Sequence, residues 1–454
     1  MTRRVPALSV DELRAHVAAG AVDTVVVAAV DMQGRLVGKR FHAGFFVDEV
    51  LRHGTECCEY LLAVDVDMNT VSGYSLASWE SGYGDLAMVP DLGTLRMTPW
   101  EPGTALLLAD LSTVDGRPVP VSPRRILAEQ IAALADRDLV GYVGTELEFC
   151  AYKGSYEDAW RSGYRELTPA NQYNADYSIL ATGRVEPLLR AIRNQMVGAG
   201  MTVESAKGEC NLGQHEIAFR YADALTTCDN HTIYKTGAKQ IAADNGYAVT
   251  FMAKPNEREG NSCHIHCSLR SRSGEPVLAG DGEYGFAPLM RHFVAGLLHC
   301  LPDFTLLYAP NINSYKRFRD GSFAPTAVRW GLDNRTCALR VVGHGESLRV
   351  ENRVPGGDVN PHLAVAAMLA SGRYGIERGL EPPEPTARNA YQEGGDRVPA
   401  TLRDAVARWQ GSDLAHEVFG EDVVAHYANA AKVELDAFDA TVTDWELYRG
   451  FERL

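Results

Sequence analysis

The chain has 454 residues, 46% hydrophobic and 23% charged, long enough to bury one or more sizeable cores and too ordinary in composition for a disordered protein. Lys and Arg total 44 against 59 Asp and Glu, and the resulting formal charge of −15 opposes a nucleic-acid backbone, so no nucleic-acid partner is expected. The longest apolar runs, residues 25–30 and 104–109, fall far short of the roughly 18 residues of a membrane span. Asp11 and Glu12 interrupt any leader after the arginines of residues 1–5, so a cytoplasmic protein with no membrane partner is expected.

The first part, residues 1–118, reads as strand-rich. Short apolar or alternating runs at 24–30, 35–40, 60–66 and 105–110 are separated by turn residues such as Gln33-Gly34 and Asp115-Gly116. Ser122-Pro123 has the form of an N-cap followed by proline at the first helical position, which opens a helix through about Leu134 and sets a domain boundary near 112–121.

Strands and helices then mix. A strand is expected over 140–152, a helix over 186–200, strand signals around 209–221, and a helix over 222–245 closed by Gly246. Strand-like segments return at 248–253, 264–269, 338–342 and 349–354, and helices dominate from Pro361 onward.

The chemistry-bearing residues sit on those strands at a spacing of two. Glu146 and Glu148, in Gly144-Thr145-Glu146-Leu147-Glu148-Phe149, face the same side of an extended segment. Side by side they repel, which is tolerable on a solvated face or where cations sit between them. Glu209 and Glu216 lie astride Gly213, which permits a bend. His264 and His266 form another same-face pair, and Arg349, Glu351 and Arg353 occupy every second place of a further strand. Polar pairs of this period in apolar strands imply a polar concavity, and carboxylates with one imidazole suit Mg²⁺ or Mn²⁺.

The arginines Arg317, Arg335, Arg340, Arg349 and Arg353 add the residue type that grips carboxylates and phosphates, as phosphoryl transfer requires. The chain has no GxxxxGK[ST] loop and no convincing GxGxxG. The nine cysteines include no CxxC pair and read as reduced thiols. Cys263-His264-Ile265-His266-Cys267 alternates faces when extended, which splits any zinc ligand set.

Taken in order, GTELEF at 144–149, ECNLGQHEIAF at 209–219, TFMAKP at 250–255, NSCHIHCSL at 261–269, NSYKRF at 313–318, NRTCALRV at 334–341, RVENRVPGGDVNPHLAVAAML at 349–369 and ESGYGDLAMVPDLGT at 80–94 resemble the type I glutamine synthetase family over nearly the whole chain. The resemblance implies an α+β fold: an N-terminal β-grasp domain over 1–118, and a larger catalytic domain with a curved antiparallel sheet over 119–454. It also implies a dodecamer of two hexameric rings with active sites between neighbours.

Carried over by motif, Glu148, Glu209 and Glu216 correspond to ligands of the metal that holds the glutamate site. Glu146, His264 and Glu351 correspond to those of the metal bridging ATP phosphates. Arg317 and Arg353 match arginines that bind the substrate carboxylate and the phosphoryl group, with Glu148, Glu209 and His264 also on the substrate side. Arg335, Arg340 and Arg349 match nucleotide-phosphate and transition-state arginines, and His266 and Ser268 fall at the nucleotide site. The implied reaction uses ATP and two or more Mg²⁺ or Mn²⁺ ions to form γ-glutamyl phosphate, which an amine then attacks.

Two departures bear on the amine. Phe323 stands where glutamine synthetases carry the flap glutamate that handles ammonium, and the ammonium-site segment survives only around Asp67. An aromatic cannot accept a proton. The sequence therefore resembles the γ-glutamylethanolamide synthetase subgroup, with γ-glutamylpolyamine synthetases next and ammonium-using enzymes after them. Tyr391 lies where some relatives carry an adenylylated tyrosine, but Gln392-Glu393 departs from that motif and an ordinary loop residue is expected.

Overall fold

A computed structural model describes residues 7–454 of the protein, so the reading of residues 1–5 as a leaderless start falls outside them. The first sheet has five strands in the order Leu36–His42, Thr24–Val30, Thr104–Thr113, Asp85–Met97, Thr55–Cys58. Thr24–Val30 and Thr104–Thr113 run parallel, and the other neighbours are antiparallel. Both parallel strands are inner strands whose side chains are largely buried, which is what their Val-, Leu- and Ala-rich sequences require.

The expected strand at 60–66 is not formed. A 3-10 helix occupies Glu59–Leu62, and only an isolated bridge joins Val64 to Thr70. Its apolar run is used by burying Leu62, Ala63 and Val64 in the core rather than by pairing.

The second, curved sheet of ten strands is the frame of the molecule. Its path runs Trp330–Leu332, Leu339–Val342, Arg349–Asn352, Cys263–Ser271, Leu139–Lys153, Gln214–Phe219, Val203–Gly208, with three short strands also pairing onto Leu139–Lys153. Leu139–Lys153 is antiparallel to all of its partners, including Cys263–Ser271 for its first part and Gln214–Phe219 for its second. Behind the sheet, helix Pro361–Arg378 packs against helix Pro288–Tyr308, an apolar element whose helical character sequence reading did not bring out. The two backbones meet at Gly296 and Gly375, where a Cβ on Gly296 would lie 2.2 Å from the Ser371 carbonyl. Among the described residues no helix is long and apolar enough to cross a membrane.

The first sheet ends at Thr113 and the next helix, Pro123–Ala135, begins with proline at its first turn as expected. That helix carries a buried tie: Arg124 pairs with Asp229 and Asp91 at 2.8 Å and with Asp110, joining two strands of the first sheet to helix Ala224–Asp244.

A candidate active site of two acidic clusters

Sheet register brings the period-two pairs together. His264 lies opposite Glu146, His266 opposite Glu351, Glu148 opposite Glu216 and Arg340 opposite Glu351. The alternate residues Cys263, Ile265 and Cys267 are fully buried. All nine cysteines are free thiols, and burial pushes Cys263 and Cys267 up to about 12. The cysteines and histidines of this strand thus point to opposite faces, which removes the zinc reading.

Two groups of ligand atoms result. In one, Glu148, Glu209 and Glu216 each offer an oxygen within 4.8 Å of the others. In the other, Glu146, His266 and Glu351 do so, and His264 Nδ1 also stands 3.2 Å from Glu146 and 3.3 Å from Glu351. Both histidines therefore reach the second group, with His266 Nε2 only 2.9 Å from Glu146. His264 Nε2 is buried without a hydrogen-bond partner.

The first group is not stable as three bare anions. Burial, then Glu209, pushes Glu148 up to about 8, and burial, then Glu146, pushes Glu216 up to about 9. Burial raises Glu209 as well, although Lys207 hydrogen-bonds to it and opposes the shift. Three crowded carboxylates fit a hard divalent cation, which would supply the missing positive charge.

In the second group, burial raises Glu146 but the hydrogen bonds from His264 and His266 outweigh it and hold its carboxyl well below the usual range. His264 itself is lowered to about 4 by burial and Arg353, so it is neutral near pH 7 and its hold on Glu146 is a hydrogen bond.

A carboxyl whose folded pKa lies above its unfolded value binds a proton on folding, so stability falls as pH rises through that interval. The metal-free protein should therefore lose thermal stability from about pH 5 to about pH 9, by a few degrees in Tm. Mg²⁺ should restore more at the alkaline end. Differential scanning fluorimetry of chelator-treated protein across this range checks the sign; a Tm that rises steadily with pH would reject it.

The arginines divide. Arg353 Nη1 donates to Glu351 at 2.5 Å and Arg340 Nη1 to Glu351 at 2.8 Å. Arg349 Nε donates to His266 Nδ1 at 3.2 Å. Arg317 is buried beneath the site, donating to the Val354 carbonyl and the Ser262 hydroxyl, both at 2.9 Å. It braces the wall that holds Glu148, because the Ser262 amide donates to Glu148 at 2.7 Å. Arg335 is exposed, away from these contacts. His266, Ser268 and Arg349 line a cleft of about 490 Å³ with Tyr142, Tyr221 and Glu204.

Asp67 is not gathered with the six candidate ligand residues. It is exposed, and the group it influences is Glu434. Phe323 is 57% exposed with φ +58°, and its carbonyl faces Arg353 Nη2 at 3.5 Å. Tyr391 is buried, and its hydroxyl donates to the Ala324 carbonyl at 3.0 Å, so it anchors this loop and is an internal prop.

Sequence reading missed two polar neighbours. Gln214 Nε2 donates to Glu148 at 3.0 Å, and Lys207 pairs with Glu209. Lys207 stands two places before Glu209 on the approach to the same turn, a period-two signal that would have found it. Gly213 closes that turn at φ +69°, where a Cβ would lie 2.4 Å from the Ala151 carbonyl.

Residues 120–450 match the family described as glutamine synthetase, catalytic domain. The chain is 64% identical over 451 residues to gamma-glutamylethanolamide synthetase GlnA4 of Streptomyces coelicolor, covering 99% of this chain and 97% of that protein. It is 36% identical to glutamate–isopropylamine ligase of a Pseudomonas species, covering 94% and 95%. A solved structure described as a GmaS/ADP complex superposes with a TM-score of 0.85 at 27% identity, covering 97% of this chain and 99% of that one.

Proposed function

Because this chain belongs to the glutamine synthetase family, we propose that the two acidic clusters hold its divalent cations and that its amine substrate is ethanolamine. The enzyme is an ATP-dependent carbon–nitrogen ligase that joins the γ-carboxylate of glutamate to an amine. The observation that carries the site assignment is the convergence of Glu146, Glu148, Glu209, Glu216, His264 and Glu351 from four segments into two close groups.

In the first step a glutamate γ-carboxylate oxygen attacks the terminal phosphorus of ATP. The bond to the bridging oxygen breaks, leaving ADP and γ-glutamyl phosphate. In the second, the neutral amine attacks the carbonyl carbon, phosphate departs with the C–O electron pair, and the nitrogen gives up a proton. Mg²⁺ or Mn²⁺, when bound, supplies charge neutralisation at the phosphate oxygens. Arg340 and Arg353, fixed by Glu351, orient the transferring group, while Arg349 and His266 hold the nucleotide side. The loop carrying Phe323 covers the acyl phosphate against water.

The 64% identity to a gamma-glutamylethanolamide synthetase supports ethanolamine, and the isopropylamine ligase supports a small alkyl amine more generally. Phe323 agrees with both, since a ring can cover an alkyl chain but cannot take a proton from ammonium. The same reading assigns residues 1–118 and 119–454 to two domains, makes the chain a dodecamer of two hexameric rings in the cytoplasm, and gives Asp67 its acidic role at a neighbour's amine site.

The test is phosphate release from ATP and glutamate with ammonium, ethanolamine, putrescine and spermine in parallel. Ethanolamine is expected to lead, and faster turnover with ammonium than with any other amine would overturn the assignment. Phe323→Glu should raise turnover with ammonium by about tenfold or more while lowering that with ethanolamine. No change in the ratio would count against the loop's role.

A further inference from the structure

A second cavity, of about 660 Å³, opens behind the site between the two sheets. Its walls are the turn after strand Thr24–Val30, helix Ala224–Asp244, the end of helix Pro288–Tyr308 and helix Glu421–Asp439. Much of the lining is apolar, with Leu36, Phe251, Leu306, Leu363, Tyr427 and Ala431 among it.

The charges at this cavity are unbalanced. Arg35 is neutralised by Asp31 at 2.6 Å. Asp358 accepts from Asn311 Nδ2 at 2.9 Å and the Ser314 hydroxyl at 2.6 Å, and with Asp31 it also favours the charged form of Lys235. Lys235 Nζ donates to the Gly357 carbonyl at 2.8 Å, one of its three donor positions. Lys239 has no acid partner among the described residues; its charged neighbours are Arg35 and Lys235, and its ammonium sits 6.0 Å from the Phe251 ring centre. The remaining lining acid is Glu434, whose carboxyl burial, then Asp65 and Asp67, push above its ordinary value.

Two ammonium groups side by side at an apolar cavity, one of them without an acid, are a receptor for negative charge. We propose that this cavity binds an amphipathic anion, with a carboxylate or phosphate head between Lys235 and Lys239 and an apolar body along Phe251, Leu306 and Leu363. Lys235 bonds to the loop that follows Arg353, and Asp358 holds the 3-10 helix that ends in Arg317, so the ligand sits back to back with the wall of the ligase site. The assignment stands apart from the identity of the amine.

The test is isothermal titration of the full-length enzyme with octanoate, octyl phosphate and octylammonium. One site per chain is expected for an anionic probe and none for octylammonium. Lys239→Glu should weaken anion binding by about tenfold or more, Lys239→Arg should keep it, and both variants should retain the ligase rate measured without the probe. Octanoate binding better than octyl phosphate, or the reverse, identifies the head. Equal binding of octylammonium, unchanged affinity in Lys239→Glu, or no binding of either anion overturns the proposal.

Discussion

Replacing Glu148 by alanine is expected to lower phosphate release from ATP with glutamate and ethanolamine by about a thousandfold or more, with the fold intact. Glu148 is buried at the centre of one acidic group, with its carboxylate held by the Ser262 amide and Gln214. Its loss removes a proposed ligand that neither neighbour can replace, because Glu209 and Glu216 are fixed on the two arms of the Gly213 turn. Stability should change little or rise in metal-free protein, since one of three repelling carboxylates has gone. Circular dichroism and the response of Tm to Mg²⁺ separate the two effects. A retained rate would reject the ligand assignment, and unfolding would show that Glu148 is structural.

Glu351→Ala should be damaging in both respects. Glu351 is fully buried and is the shared anion of Arg340, Arg353 and His264. Truncation strands the buried Arg353 guanidinium, while Arg340 keeps Asp333, a loss on the order of 3–5 kcal/mol by comparison with other broken buried pairs. Activity should fall by about a thousandfold or more at the same time. Glu351→Gln keeps volume and some hydrogen bonding, so most of the stability should return while the rate stays low. Denaturant titration of both variants checks this, and equal stability of Glu351→Ala and the parent would show that Arg353 finds another partner.

The site was legible because sheet geometry converts a spacing of two into a shared face. Glu146 with Glu148, His264 with His266, and Glu351 with Arg349 and Arg353 could each be read that way. Which pair faces which is set by register between strands far apart in sequence, 85 residues for His266 with Glu351 and 118 for His264 with Glu146, which local pattern does not encode. Helix Pro288–Tyr308 was missed for a related reason: apolar on nearly every side, it shows little periodicity. The run at 60–66 misled because burial and strand pairing demand the same residues. Lys239 carried no local signal, since it is an exposed helical lysine like many others and only the fold reveals that its charged neighbours are cations.

Glu146 and Glu148 share one strand and belong to different groups. The gap between their Cα atoms is two residues of extended backbone, about 7 Å, and covalent geometry sets that length. The peptide unit is the ruler for these groups: substitutions can change how tightly either would hold a cation, but only inserting or deleting backbone can move the two apart.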